Sequence, residues 1–206
     1  MTARSCPSCG DVLAPRFAAA KMITCASCGT TLFLEDDAVR LAGQQGVLHE
    51  LPAPIQLGQE FLVTGRRLLP VGLLRYDYGR GTWDEYWCLD SHRDGFWVSV
   101  DEGDLVVQSA LPASRAPKLT APPGLGQTIR FDGRDWDVQE QDNARLIGWR
   151  GELPEQVEMG EAHRFVNCAH GDYLLSGEFW EGGSAWFLGQ WIDPYDLRPG
   201  KTEARI

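Results

Sequence analysis

Alternation with period two runs through "TWDEYWCLD", residues 82–90. On an extended chain it puts Trp83, Glu85, Trp87 and Leu89 on one face and Asp84, Tyr86, Cys88 and Asp90 on the other. The stretches "FLVTGRRLLPVGLLRYDYG" (61–79) and "TIRFDGRDWDVQEQ" (128–141) are aliphatic and aromatic runs broken at Gly or Asp-Gly, which signals hairpins. Few stretches carry a sustained 3.6-residue period with helix caps, while 23 glycines and 12 prolines punctuate the chain. The pattern predicts a mostly β protein.

The pattern also repeats. "LGQEFLVTGRRLLPV" (57–71) aligns with "LGQTIRFDGRDWDVQ" (125–139) at an offset of 68 positions, matching Leu-Gly-Gln and Gly-Arg in both. Further on, Glu85-Tyr86-Trp87 aligns with Glu178-Phe179-Trp180, and Trp97 with Trp186, across a longer spacer. The Pro-rich stretch 108–124 reads as a semi-extended linker. The expected organisation is a ribbon at 1–35, a connecting segment at 36–56, two related antiparallel β domains of small-barrel or sandwich type at 57–107 and 125–197, and a tail at 198–206. The turn-forming "GELPE" (151–155) reads as a tight loop between strands.

The ribbon assignment rests on "CPSCG" and "CASCG". Cys6, Cys9, Cys25 and Cys28 form two C-x2-C pairs separated by fifteen residues, which is strong zinc-site spacing. The glycine after each second cysteine permits the positive φ that a metal knuckle requires, and four thiolates would close a tetrahedral structural zinc site with no place for water. Two disulfides are the alternative, disfavoured in a reducing compartment. Cys88, His92, Cys168 and His170 could form a second metal site only if the fold brings them together. Otherwise the two cysteines are buried as small hydrophobes.

Charge narrows the function classes. A formal net charge of −10 opposes the phosphate contacts that drive non-specific nucleic-acid binding, so no nucleic-acid partner is expected. The longest apolar run falls short of a membrane span and the first residues lack a signal-peptide core, which gives a cytoplasmic expectation. No nucleophile-elbow, phosphate-loop, dinucleotide or H-E-x-x-H motif is present.

The stretches "YDYGRGTWDEYWCLD", "GFWVSVDEGDLVV" and "ARLIGWRGELPEQVEMGE" with "YLLSGEFWEGGSAWFLGQWI" resemble the bacterial family known as domain of unknown function 4178, in a long form preceded by a cysteine ribbon. The resemblance covers residues from about 55 to 197. It implies a β fold, and an accessory role beside polyamine-related or membrane-stress systems, with a protein partner that could be membrane-associated. It implies no established activity.

Two functions follow as expectations. The first is a non-enzymatic binding or scaffold protein, with no catalytic residue and with Trp83, Glu85, Trp87, Glu178 and Trp180 as candidate ligand contacts. An acidic, aromatic-lined pocket would suit a polyamine or another small ligand. The second is a hydrolase or transferase using Glu85 and Glu178 as general acid and base. Equivalent glutamates in two copies favour a framework role, in which each carboxylate is held by an indole N–H or a turn amide in its own core. A cavity joining the two would favour the second reading.

Overall fold

The computed structural model describes residues 4–35, 38–43, 46, 48, 53–119 and 121–200. The expected connecting segment 36–56 and tail 198–206 therefore lie partly outside the described residues. Strands dominate: β1 (Arg4–Ser5), β2 (Val12–Leu13), β3 (Met22–Thr24), β4 (Thr31–Leu34), β5 (Val39–Leu41), β6 (Phe61–Val63), β7 (Arg66–Asp77) and β8 (Thr82–Leu89). They continue as β9 (Gly95–Asp101), β10 (Asp104–Ala110), β11 (Thr128–Phe131), β12 (Arg134–Leu153), β13 (Ala162–His170), β14 (Tyr173–Trp180), β15 (Gly183–Ile192) and β16 (Arg198–Pro199). Among the described residues the one helical element is a 3-10 turn at Pro194–Asp196, and no helix is long and apolar enough to cross a membrane.

Eight strands close into one antiparallel barrel in the order β7-β8-β9-β10-β15-β14-β13-β12, with β12 pairing back onto β7. The two segments expected to form separate domains thus give four strands each to a single barrel. The physical reason is edge closure. A four-stranded meander exposes two unpaired edges, and here β10 joins β15 while β7 joins β12, so each half covers the other's edges.

Local geometry recurs at the 68-residue offset. Gly58 N–H donates to Pro70 O (2.8 Å) and Gly126 N–H to Val138 O (2.9 Å). Both hairpin turns carry a positive-φ pair, Thr64-Gly65 (48° and 75°) and Asp132-Gly133 (49° and 74°). The Glu-aromatic-Trp match does not follow the strand order, however. Glu85 lies on the second barrel strand of its half and Glu178 on the third of its own.

The outside of the barrel is covered half by half. Tyr86, Cys88, Val98 and Leu105 pack beneath Ile55, Phe61 and Ile192, while Val166, Cys168, Leu175 and Trp186 pack beneath Ile129 of β11. Leu111, Ala116 and Leu119 also pack on this second cluster. The expected linker is therefore a strap bound to the barrel, and its first residues, from Gln108, belong to β10. Cys88 and Cys168 lie in these two different clusters, so no second metal site joins them.

β12 is 20 residues long, and its far end leaves the barrel to pair Glu152 with Ile23 and Leu153 with Met22. The "GELPE" stretch is thus strand through Leu153 rather than a loop. Gly151 serves a close approach: a Cβ there would lie 2.1 Å from Val71 O, and one on its partner Gly72 would lie 2.2 Å from Glu152 O. Through this extension the cysteine-bearing unit seats on one barrel end. Met22 enters the barrel core, and Phe17 and Leu13 pack with Val71 and Leu89.

Candidate functional site

Strand alternation carries Trp83 and Glu85 of β8, Ser99 of β9, Gln108 of β10 and Glu178 of β14 into the barrel, where they line a cavity of about 160 Å3. An apolar cavity of about 150 Å3 accepts a benzene-sized guest. The expectation that Glu85 and Glu178 occupy separate cores is corrected here: barrel closure turns β8 and β14 toward one interior. Among the described residues five of those lining it are acidic (Glu85, Asp101, Asp104, Glu140 and Glu178), and none is Lys, Arg or His. The turns 78–81, 102–103 and 171–172 rim the same end. There Tyr78 OH donates to Asp101 Oδ1 (3.4 Å), and exposed Arg80 reaches Glu140 and Asp142 (3.6 and 3.2 Å).

Glu85 Oε1 accepts the Trp83 indole N–H and the Ser99 hydroxyl, each at 3.3 Å. Ser99 Oγ in turn accepts from Gln108 Nε2 at 3.0 Å. That chain fixes the amide orientation, because the Ser99 proton is already directed at Glu85. Gln108 is 5% exposed and its Oε1 has no hydrogen-bond partner among the described residues. Removal from water pushes the Glu85 carboxyl up to about 7 against the pull of its two donors. Glu178 is also raised well above the ordinary glutamate value, first by burial and then by the charge of Glu85. His163 Nε2 lies 3.9 Å from Glu178 Oε1, beyond hydrogen-bond reach, and burial drives its imidazole down to about 4, so it stays neutral.

Trp83 stacks on Tyr76 (5.0 Å between centroids) and meets Phe165 edge-on (5.1 Å). Trp87 lies deeper, between Phe17 (6.1 Å) and Trp97 (5.0 Å), packed against both the barrel core and the core of the cysteine unit. Trp180, the last residue of β14, is 49% exposed and rests against Gly183 outside the cavity. Of the five candidate ligand contacts, the fold therefore brings together Trp83, Glu85 and Glu178. Gln108 was hidden from the sequence reading by the prolines that follow it. Ser99 had a signal in the alternation of "WVSVD", where a lone hydroxyl shares a face with Trp97 and Asp101.

The four cysteine Sγ atoms lie within 4.8 Å of one another and could hold a metal ion. Cys6 Sγ to Cys28 Sγ is 3.7 Å and Cys9 Sγ to Cys25 Sγ is 3.8 Å. Ligands about 2.3 Å from a tetrahedral centre stand about 3.8 Å apart, so the donor set fits. Each pair forms the same knuckle: Gly10 N–H donates to Cys6 O and Gly29 N–H to Cys25 O (2.8 and 2.9 Å), and the two glycines have φ of 79° and 72°. His92 lies in an exposed turn, and His170 leans on Trp136 with Nδ1 2.9 Å from Asp135 O.

Fold and site together define a closed eight-stranded barrel with an acidic, aromatic-walled interior and a four-cysteine unit on one end. The family model for the domain of unknown function 4178 matches residues 56–194, more than half of the chain, and the protein belongs to that family. The four cysteines precede the matched region. No curated protein and no solved structure matches the chain.

Proposed function

We propose that this is a non-enzymatic binding protein whose barrel holds a compact small molecule, and whose cysteine unit is a zinc ribbon serving structure and partner attachment. The observation that carries the reading is a small aromatic-walled cavity in which the polar groups are committed to one another, the Trp83 indole and the Ser99 hydroxyl to Glu85 and the Gln108 amide to Ser99; the convergence of Glu85 and Glu178 on it is what favours the second reading below. Burying two carboxylates without a cation beside them costs stability, and such a cost is commonly retained where a ligand offsets it. The accessory role implied by the family resemblance, in the cytoplasm and beside a membrane-associated or polyamine-related partner, suits a binding component. A thermal-stability screen of the full zinc-loaded chain against small metabolites tests the reading. At least one compound should raise the melting temperature of the wild type and fail on a Glu85→Gln/Glu178→Gln variant. Equal stabilisation of both proteins would contradict it.

A second reading, a hydrolase or transferase, is favoured by one observation. The two carboxylates share a cavity yet differ in environment, Glu85 with two donors and Glu178 with neighbouring acidic charge, which separates their proton affinities as acid and base roles require. Turnover of a compound found in the screen, abolished by either glutamine variant, would establish it.

The zinc assignment has its own test. Elemental analysis should give about one zinc per chain, lost in a Cys6→Ser/Cys9→Ser variant, because two thiolates cannot hold a closed site. Well-folded, metal-free wild-type protein would overturn it.

A further inference from the structure

We propose that the barrel cavity takes the primary ammonium head of a small aliphatic amine, with Gln108 Oε1, Glu85 and Glu178 as the acceptors of its three N–H groups. The proposal rests on the reading of the barrel as a ligand site. The hydrogen-bond inventory carries it. Trp83 Nε1 and Ser99 Oγ are spent on Glu85, Gln108 Nε2 on Ser99, and Asn167 Nδ2 on Glu140. Apart from the Ser176 hydroxyl and the Trp191 indole of a 40% exposed side chain, what remains among the described lining residues is an acceptor surplus: the unpartnered Gln108 Oε1 of a 5% exposed residue, with two carboxylates and no lining cation. A buried acceptor left without a donor is a standing cost, and the ligand that removes it must bring donors and positive charge together.

Three ligand classes are disfavoured by the same inventory. A carboxylate or phosphate would meet five acidic residues and no lining base. A bare divalent cation needs several ligands at close range, and among the described residues the grouping of His, Cys, Asp and Glu tight enough to hold a metal is the cysteine set. A quaternary ammonium has charge but no N–H for Gln108. The hydrocarbon part of an amine has its own wall in Trp83, Phe165, Val106 and Leu174, and a volume of about 160 Å3 limits the enclosed part to roughly six non-hydrogen atoms. A longer polyamine would leave its remaining charges among Asp101, Asp104 and Glu140 at the mouth.

Calorimetric titration of the full zinc-loaded chain near neutral pH with n-butylammonium, tetramethylammonium, n-butanol and calcium tests the proposal. Butylammonium should bind, with tetramethylammonium, butanol and calcium each at least about tenfold weaker. Gln108→Leu should weaken butylammonium by about tenfold or more, the effect of losing one hydrogen bond to a charged group. Tetramethylammonium or calcium binding as well as butylammonium, or unchanged affinity in Gln108→Leu, would overturn the ammonium head. If the leucine variant does not fold, the wild-type selectivity series alone decides. If none of these probes binds while a neutral compound from the stability screen does, the ammonium head falls and the binding barrel stands. If no compound binds at all, both fall.

Discussion

Glu85 shows how a residue legible in the sequence acquires a meaning the sequence does not carry. Alternation placed it correctly on the face of Trp83, and an indole N–H was expected as its partner. The alignment with Glu178, by contrast, suggested two separate cores, because an alignment has no information on how a sheet closes. The consequence is a pH dependence. With its carboxyl held at about 7, the folded chain binds the Glu85 proton more tightly than the unfolded chain does. Its contribution to stability is full below the ordinary glutamate range and is lost as pH rises through about 7, by at most about 3.5 kcal/mol at 1.4 kcal/mol per unit. Glu178, raised the same way, adds to this slope. Buried His163, shifted down to about 4, opposes it, contributing stability at neutral pH that is lost as pH falls toward 4. Glu85→Gln isolates the first effect. Urea unfolding should show the variant close to wild type near pH 5 and more stable than wild type near pH 8. A variant less stable than wild type at pH 8 would mean that the carboxylate is an anchor and not a strained site.

At the scale of the element, two contacts hold the strands around the cavity. On the outer face of the β7-β8 pair, Arg75 Nε and Nη2 donate to the two Asp84 oxygens at 2.6 and 2.8 Å, with side chains only 9% and 10% exposed. Asp84→Ala would take two charge-assisted hydrogen bonds from a buried guanidinium and should cost about 3–5 kcal/mol, measurable by denaturant unfolding. The β7-β12 seam depends on backbone approach at Gly72 and Gly151. Gly72→Ala should cost about 1–3 kcal/mol or more, since the new methyl meets a carbonyl oxygen and not a flexible side chain. Wild-type stability in that variant would show that the seam has slack. Strand existence was readable here because alternation and Gly turns are local signals. Strand length was not: "GELPE" carries turn residues, and what keeps it extended is pairing with Met22 and Ile23, more than 120 positions away in the chain.

For the whole molecule, the cysteine unit and the barrel share a boundary at Trp87, so loss of metal should reach the barrel end. Chelation should unfold the unit, whose small core depends on metal binding worth roughly 10–16 kcal/mol in comparable peptides. It should also change tryptophan fluorescence as Phe17 leaves Trp87, while the far-ultraviolet β signal of the barrel persists. The knuckles were fully legible, since C-x2-C-Gly is chemistry confined to five residues. The single barrel was not, because the Pro-rich stretch reads as a boundary, and its packing of Leu111, Ala116 and Leu119 is a tertiary fact.

The central claim is that Glu85 and Glu178 face one shared cavity, and carboxyl-detected NMR titration tests it most directly. In wild-type protein Glu178 should titrate well above the usual glutamate range, and in Glu85→Gln its midpoint should fall, because the neighbouring charge that raises it is gone. An unchanged Glu178 midpoint in the variant would place the two carboxylates in separate surroundings and contradict the shared cavity.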